Sequence, residues 1–209
     1  MKTLIAIPCG DFVHTEFTRA ILGMKMIDKC QVSFAQGSLI YDARNQLAQI
    51  ALSGGYDRVL WLDSDMGFPT DLMERLFADL DEGREMVTGL YFTRKAPIKP
   101  TCYKELYLTQ DGMYAMPHCD EITEWGDEVF EVAGCGFGAV AMTTELLKKV
   151  VDKFVLPFTP VSGFGEDLSF CLRAADVGAK IWCDPRPKLT HVGLGYFTED
   201  TFRKVQNVK

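Results

Sequence analysis

The 209-residue sequence predicts an α/β fold, with a mostly parallel sheet, helices on both faces and a small antiparallel sheet late in the chain. Two observations carry this. Through the first ninety residues, short apolar runs alternate with segments of helical periodicity, the rhythm of a parallel sheet covered by helices. Between residues 94 and 135 that rhythm stops, and strand-like segments follow one another. Composition agrees: 47% apolar and 24% charged residues in 209 are ordinary for one globular domain. A chain of this length buries roughly 70% of its unfolded surface and needs no disulfide or metal staple.

Residues 3–8 form a short apolar strand closed by Pro8-Cys9-Gly10. Residues 15–29 read as a helix, with Phe17, Ala20, Ile21, Met24 and Ile27 at helical spacing. A strand over 31–36 follows. The next helix, 41–52, carries Ala43, Leu47, Ile50 and Ala51 on one side and stops at Ser53-Gly54-Gly55. Residues 58–62 are a buried strand. The helix over 70–80 has Pro69 and Thr70 at its start and Gly83 beyond its end. A fourth strand spans 86–91. Residues 106–116 read as a hairpin around Gln110-Asp111-Gly112, and 129–133 and 137–142 as strands. Helices over 144–153 and 165–177 precede a last strand at 180–183 and an irregular tail.

With 22 basic and 29 acidic residues the net charge is −7. That excludes a broad duplex-binding surface, which needs clustered Lys and Arg. The apolar run at the start is too short for a signal peptide, and no stretch approaches the ~18 apolar residues of a membrane span. A cytoplasmic protein is expected. Seven cysteines, an odd number without a Cys-x-x-Cys, read as reduced, mostly buried thiols.

The sharpest feature is Val59-Leu60-Trp61-Leu62-Asp63-Ser64-Asp65. Two aspartates spaced i, i+2 at the end of a buried strand point to one face. They stand where α/β sheets bind ligands, beyond the strands' carboxyl ends. Convergent carboxylates repel unless a cation lies between them. A hard divalent cation fits and usually brings phosphate oxygens. The plainer alternative makes both aspartates turn and cap residues. The second feature is Gly163-Phe164-Gly165-Glu166-Asp167. These acids either complement a helix dipole or place a general base near a reacting centre. The third is His191, either structural or a ligand for an Mn²⁺-like metal, before a flexible Gly193-Leu194-Gly195 suited to a lid. Of the other histidines, His14 opens a helix and His118 sits in a loop. The fourth is Asp42-Ala43-Arg44-Asn45, where Arg44 either contacts a phosphate or is a surface arginine.

In this order the segments resemble the GT-A fold glycosyltransferases, most closely the family-2-like group. Residues 43–45 and the run from Gly55 to Asp65 resemble the family's Asp-x-Asp block. Gly134-Cys135-Gly136-Phe137-Gly138-Ala139-Val140 is similar to its Gly-rich acceptor strand. Gly165-Glu166-Asp167 with Phe170 and Arg173 resembles its Glu-Asp helix motif, and Thr190-His191-Val192 its late histidine. The likeness spans roughly residues 3–195. It implies a Rossmann-like GT-A domain over 1–209, with a nucleotide-binding half to about 93, an acceptor and catalytic half over about 94–195, and a tail.

It also implies transfer of a sugar from a nucleotide-sugar to an acceptor hydroxyl on a glycan, lipid carrier, protein or modified nucleobase. Pro8 and Arg44 would hold the nucleoside, with Asp63 and Asp65 also on the donor. Mn²⁺ or Mg²⁺ would be bound by Asp65 and His191, with Asp63 on the metal or on a ribose or water beside it. Asp167 would be the base if the enzyme inverts. Glu166 and Asp167 would orient substrate if it retains, and Gly163-Phe164-Gly165-Glu166 is also similar to a stretch of retaining members. Arg94, Lys95, Lys99 and Lys104 either line the acceptor side or form a solvated face, and Trp125 either meets a sugar ring or is buried. Two rivals remain: a haloacid-dehalogenase-like Mg²⁺ phosphatase, whose motif would lie nearer the N-terminus, and a non-catalytic nucleotide-sugar or glycan-binding module.

Overall fold

A computed structural model describes residues 1–27, 29–111, 114–193 and 196–206. In chain order the elements are β1 (Lys2–Cys9), α1 (Thr15–Gly23), β2 (Lys29–Gln36), α2 (Ile40–Ser53), β3 (Arg58–Leu62), β4 (Met66–Gly67), α3 (Leu72–Asp81) and β5 (Met86–Gly89). There follow β6 (Cys102–Asp111), β7 (Tyr114–Glu121), β8 (Phe130–Val132), β9 (Gly134–Cys135), β10 (Ala139–Thr143), α4 (Thr144–Phe154) and α5 (Glu166–Asp176). The chain closes with β11 (Ile181–Asp184), β12 (Thr190–Val192), β13 (Tyr196–Phe197) and α6 (Glu199–Gln206).

Seven strands form the main sheet in the order β2-β1-β3-β10-β5-β11-β8. β2, β1 and β3 are mutually parallel, as are β5 and β11, while β10 runs antiparallel between β3 and β5 and β8 antiparallel to β11. Both faces are covered, so central strands carry continuous apolar runs, Leu4 to Ile7 in β1 and Val59 to Leu62 in β3, rather than alternating ones. Leu4, Ala6, Val59 and Trp61 meet α2, α4 and α5 on one face. Ile5, Ile7, Leu60 and Leu62 meet α1 and α3 on the other. Two three-stranded antiparallel sheets, β13-β12-β4 and β7-β6-β9, stand at the end where the parallel strands finish. The α/β architecture with small antiparallel sheets is as the sequence predicts.

Several boundaries differ. The first helix stops at Gly23, not at residue 29, because Met24 turns extended and Lys25 N–H donates to Thr70 C=O at 2.8 Å. The spacing that suggested more helix leaves Met26 and Ile27 exposed. The tail is not irregular but holds α6, whose Phe202 stacks on Phe92 at 4.9 Å between ring centroids. The hairpin is longer than expected, and Gly112 of its turn lies outside the described residues. His118 is on β7, not in a loop, with its ring stacked on Tyr107. His191 sits within β12, and Leu194 and Gly195, of the stretch read as suited to a lid, lie outside the described residues.

Candidate active site

β3 ends at Leu62, and Asp63 N–H still donates to Gly138 C=O at 3.0 Å, which holds the first acid at the sheet's carboxyl edge. Met66 N–H then donates to Asp63 C=O at 3.1 Å, turning the chain so that Asp65 projects from the bend. β12 pairs antiparallel with β4, setting His191 opposite Met66, and Val192 N–H donates to Asp65 C=O at 2.8 Å. A residue 126 positions downstream is thereby brought beside the acidic turn.

His191 Nδ1 lies 2.9 Å from Phe92 C=O, and a carbonyl can only accept. Nδ1 therefore carries a proton, and Nε2 faces Asp65 Oδ2, 3.5 Å away, as a donor when the ring is protonated and as a lone pair when it is neutral. Arg94 Nη1 bonds the same Asp65 oxygen. Burial pushes the Asp65 carboxyl up, but His191 and Arg94 outweigh it and hold the carboxyl below the usual range.

Asp63 faces elsewhere. Its Oδ1 accepts from Arg44 Nη2 at 2.7 Å, and Arg44 Nε lies 3.4 Å from Glu166 Oε1. Arg44 is 2% exposed, with its guanidinium 5.2 Å from the Phe137 ring centroid. It is not a surface arginine but a buried cation joining α2, the end of β3 and the start of α5. Burial raises Asp63, with Arg44 opposing the shift.

Before α5 the chain takes positive φ at Ser162 and Gly163, and Gly165 caps the helix. Glu166 and Asp167 then fall in the first turn, where the helix N-terminus favours negative charge. Asp167 Oδ1 accepts from its neighbour's Leu168 N–H at 2.7 Å. Burial and then Glu166 nevertheless push the Asp167 carboxyl up to about 6.

These groups line one cavity of about 810 Å³, together with Pro8, Arg94, Lys95, Tyr91, Tyr103 and Gly136. The cavity thus gathers Pro8, Arg44, Asp63, Asp65, Glu166, Asp167 and His191. Lys99 and Lys104 are not in it: Lys99 pairs with Glu121 at 2.7 Å, and Lys104 is exposed on β6. Trp125 packs in an aromatic group with Phe92 and Phe202, away from the cavity lining. Among the described residues, no three His, Cys, Asp or Glu side chains gather as a metal cage. Two wall residues escaped the sequence reading. Buried Tyr91 accepts from Gly138 N–H at 3.1 Å, and Tyr103 lines the same cavity with its phenol pushed up by burial. Their only signal was two aromatics flanking a short polar loop.

All seven cysteines are free thiols. Among the described residues no helix is long and apolar enough to cross a membrane.

No family profile and no curated protein matches the chain by sequence. Solved structures do match it in fold. A197 from STIV shares it with a TM-score of 0.67 at 20% identity, over 92% of this chain and 86% of that one. GalNAc-T7, crystallised with UDP, GalNAc and Mn²⁺, shares it with a TM-score of 0.63 at 12% identity, over 92% of this chain and 44% of that one. The chain therefore has a GT-A-like α/β fold, the architecture it shares with a glycosyltransferase.

Proposed function

We propose that the protein is a metal-dependent glycosyltransferase, family-2-like, that moves a sugar from a nucleotide-sugar to an acceptor hydroxyl. One observation carries the reading: His191 Nε2, with Nδ1 fixed on Phe92 C=O, lies 3.5 Å from Asp65 Oδ2, so that on losing its Nε2 proton the ring offers a metal ligand beside the carboxylate. Two donors facing each other at that distance suit a cation between them. Mg²⁺ and Mn²⁺ commonly take only one or two protein ligands and complete their shell with phosphate oxygens and water. The residues therefore fit such an ion without a three-residue cage. When bound, it would neutralise the charge on the leaving diphosphate.

The chain's own groups divide the remaining work. Pro8 and its neighbours would receive the nucleoside. Asp63, held by Arg44, would accept from a ribose hydroxyl, so that Arg44 acts on the donor through Asp63. Asp167 would take the proton from the acceptor hydroxyl, as an inverting transfer needs. A carboxyl titrating at about 6 is well matched to that role near neutral pH. Glu166, bonded to Arg44, would orient rather than react. The acceptor, whether glycan, lipid carrier, protein or modified nucleobase, would enter between Tyr91, Tyr103 and the start of α5. The free thiols suit a reducing, cytoplasmic setting. The phosphatase alternative gains nothing from the GT-A-like topology.

The test is calorimetry with UDP and GDP, with Mn²⁺ and with EDTA. Mn²⁺-dependent binding is expected in the wild type and at least tenfold loss in Asp65→Ala, since one of two protein ligands is gone. Equal binding by both proteins would remove Asp65 from the site.

A further inference from the structure

We propose that Arg94 is an exchangeable counter-charge: it neutralises Asp65 before donor binds, and turns to the donor's diphosphate once a divalent cation takes Asp65. The inference rests on the glycosyltransferase reading and adds to it a second state of the site.

The two arginines at the acids are built differently. Arg44 is 2% exposed, pinned between the half-buried Asp63 and Glu166 and stacked near Phe137, so it cannot turn without losing both partners inside the protein. The Arg94 side chain is 48% exposed, and Asp65 is its ion-pair partner among the described residues. Its loop is anchored behind it, where Thr93 N–H donates to Lys99 C=O at 2.8 Å. Its stem passes over Gly193, where an added Cβ would lie 3.3 Å from Arg94 Cδ. The chain thus gives the stem a smooth floor and leaves the head at the cavity mouth.

Arg94 bonds the very oxygen that His191 Nε2 faces. A guanidinium and a divalent cation repel, and both cannot hold that oxygen at contact distance. Arrival of the cation must release Arg94. The released fork stays within a cavity that would then hold a diphosphate, whose oxygens it matches in charge and geometry. Charge balances in both states: one guanidinium against Asp65 first, then cation and guanidinium together against Asp65 and a doubly charged diphosphate.

Calorimetry on wild type, Arg94→Met, Arg94→Lys and Asp65→Ala tests this, using Mn²⁺ alone and then UDP or GDP in saturating Mn²⁺. Methionine keeps the stem and removes the charge at an exposed position, so folding should be unaffected, and thermal melts check it. Arg94→Met should bind Mn²⁺ alone about tenfold more tightly than wild type, because its competitor is gone, and bind the diphosphate about tenfold more weakly. Arg94→Lys should recover much of the diphosphate affinity. Equal Mn²⁺ affinity in wild type and Arg94→Met, with Asp65→Ala abolishing it, would overturn the exchange and leave the metal site standing. No Mn²⁺ binding by either protein, even with diphosphate present, would overturn both readings.

Discussion

Asp167 sits among charges of both signs: Glu166 and Asp63 push its carboxyl up with burial, while Arg44 and the Leu168 N–H pull it down. The balance leaves it titrating at about 6. In the proposed role of base it would work only as carboxylate, so transfer should fall about tenfold per pH unit below that value. The same shift has a stability consequence. Its folded pKa lies above the ordinary carboxyl range, so the fold binds the proton more tightly than the unfolded chain does. Stability is therefore lost as pH rises through about 6 and regained as pH falls toward the ordinary carboxylate range. Asp167→Asn removes that penalty. Urea melts should find the variant more stable than wild type by ~2 kcal/mol at pH 8, with the gap closing by pH 4. The variant should keep donor binding and lose transfer. A gap that does not vary with pH would mean that the carboxyl is not raised by its surroundings, and transfer at the wild-type rate would end its role as base.

At the scale of elements, the glycines between β9 and β10 show why that strand is built as it is. A Cβ on Gly136 would stand 2.1 Å from the Tyr91 hydroxyl, and one on Gly138 2.7 Å from Tyr91 Cζ. The backbone is bare there so that Tyr91 can lie against it and form the cavity wall. Gly136→Ala should cost ~1–3 kcal/mol in thermal melts, and Tyr91→Phe in the same background should recover part of it, since the colliding oxygen is gone. Elements like β1 and β3 were legible because burial on both faces writes a continuous apolar run. α6 was not, because its eight residues owe their helix to Phe202 on Phe92 and Trp125, residues far earlier in the chain. The site divides the same way. The acids of the site, Asp63, Asp65, Glu166 and Asp167, could be read directly, but the expectation that Asp63 and Asp65 share one face was wrong. Past the end of β3 the chain bends, so Asp63 turns to Arg44 and Asp65 to His191 and Arg94. Arg44 against Glu166, 122 residues apart, and Arg94 against Asp65 depend on how the sheet folds.

The whole molecule is tied across its layers by a second charge cluster, far from the cavity lining. Arg186 reaches both oxygens of Asp79 on α3, at 3.0 and 3.1 Å, and bonds Asp184 at the end of β11. Asp79 and Asp184 are 2% and 0% exposed. Arg186→Met leaves Asp184 without its guanidinium and Asp79 with Arg84 alone among the described residues, 3.3 Å away, and should cost ~2–3 kcal/mol at pH 7 by denaturant melt. The cost should shrink at low pH, because burial and Asp184 already raise Asp79, which then protonates more readily. The strand order has a different reach. β10 fills the gap between β3 and β5, so residues 58–62 and 86–89 share no edge until residues 139–143 exist. While the chain is being synthesised, its first ninety residues can assemble only the β2-β1-β3 portion. One edge of β3 stays bare, and the Asp63 N–H has no carbonyl to meet before Gly138 leaves the ribosome. The acidic turn thus emerges well before the partner that sets it in place. A chain not yet extended past residues 139–143 should therefore carry the acidic turn without its geometry.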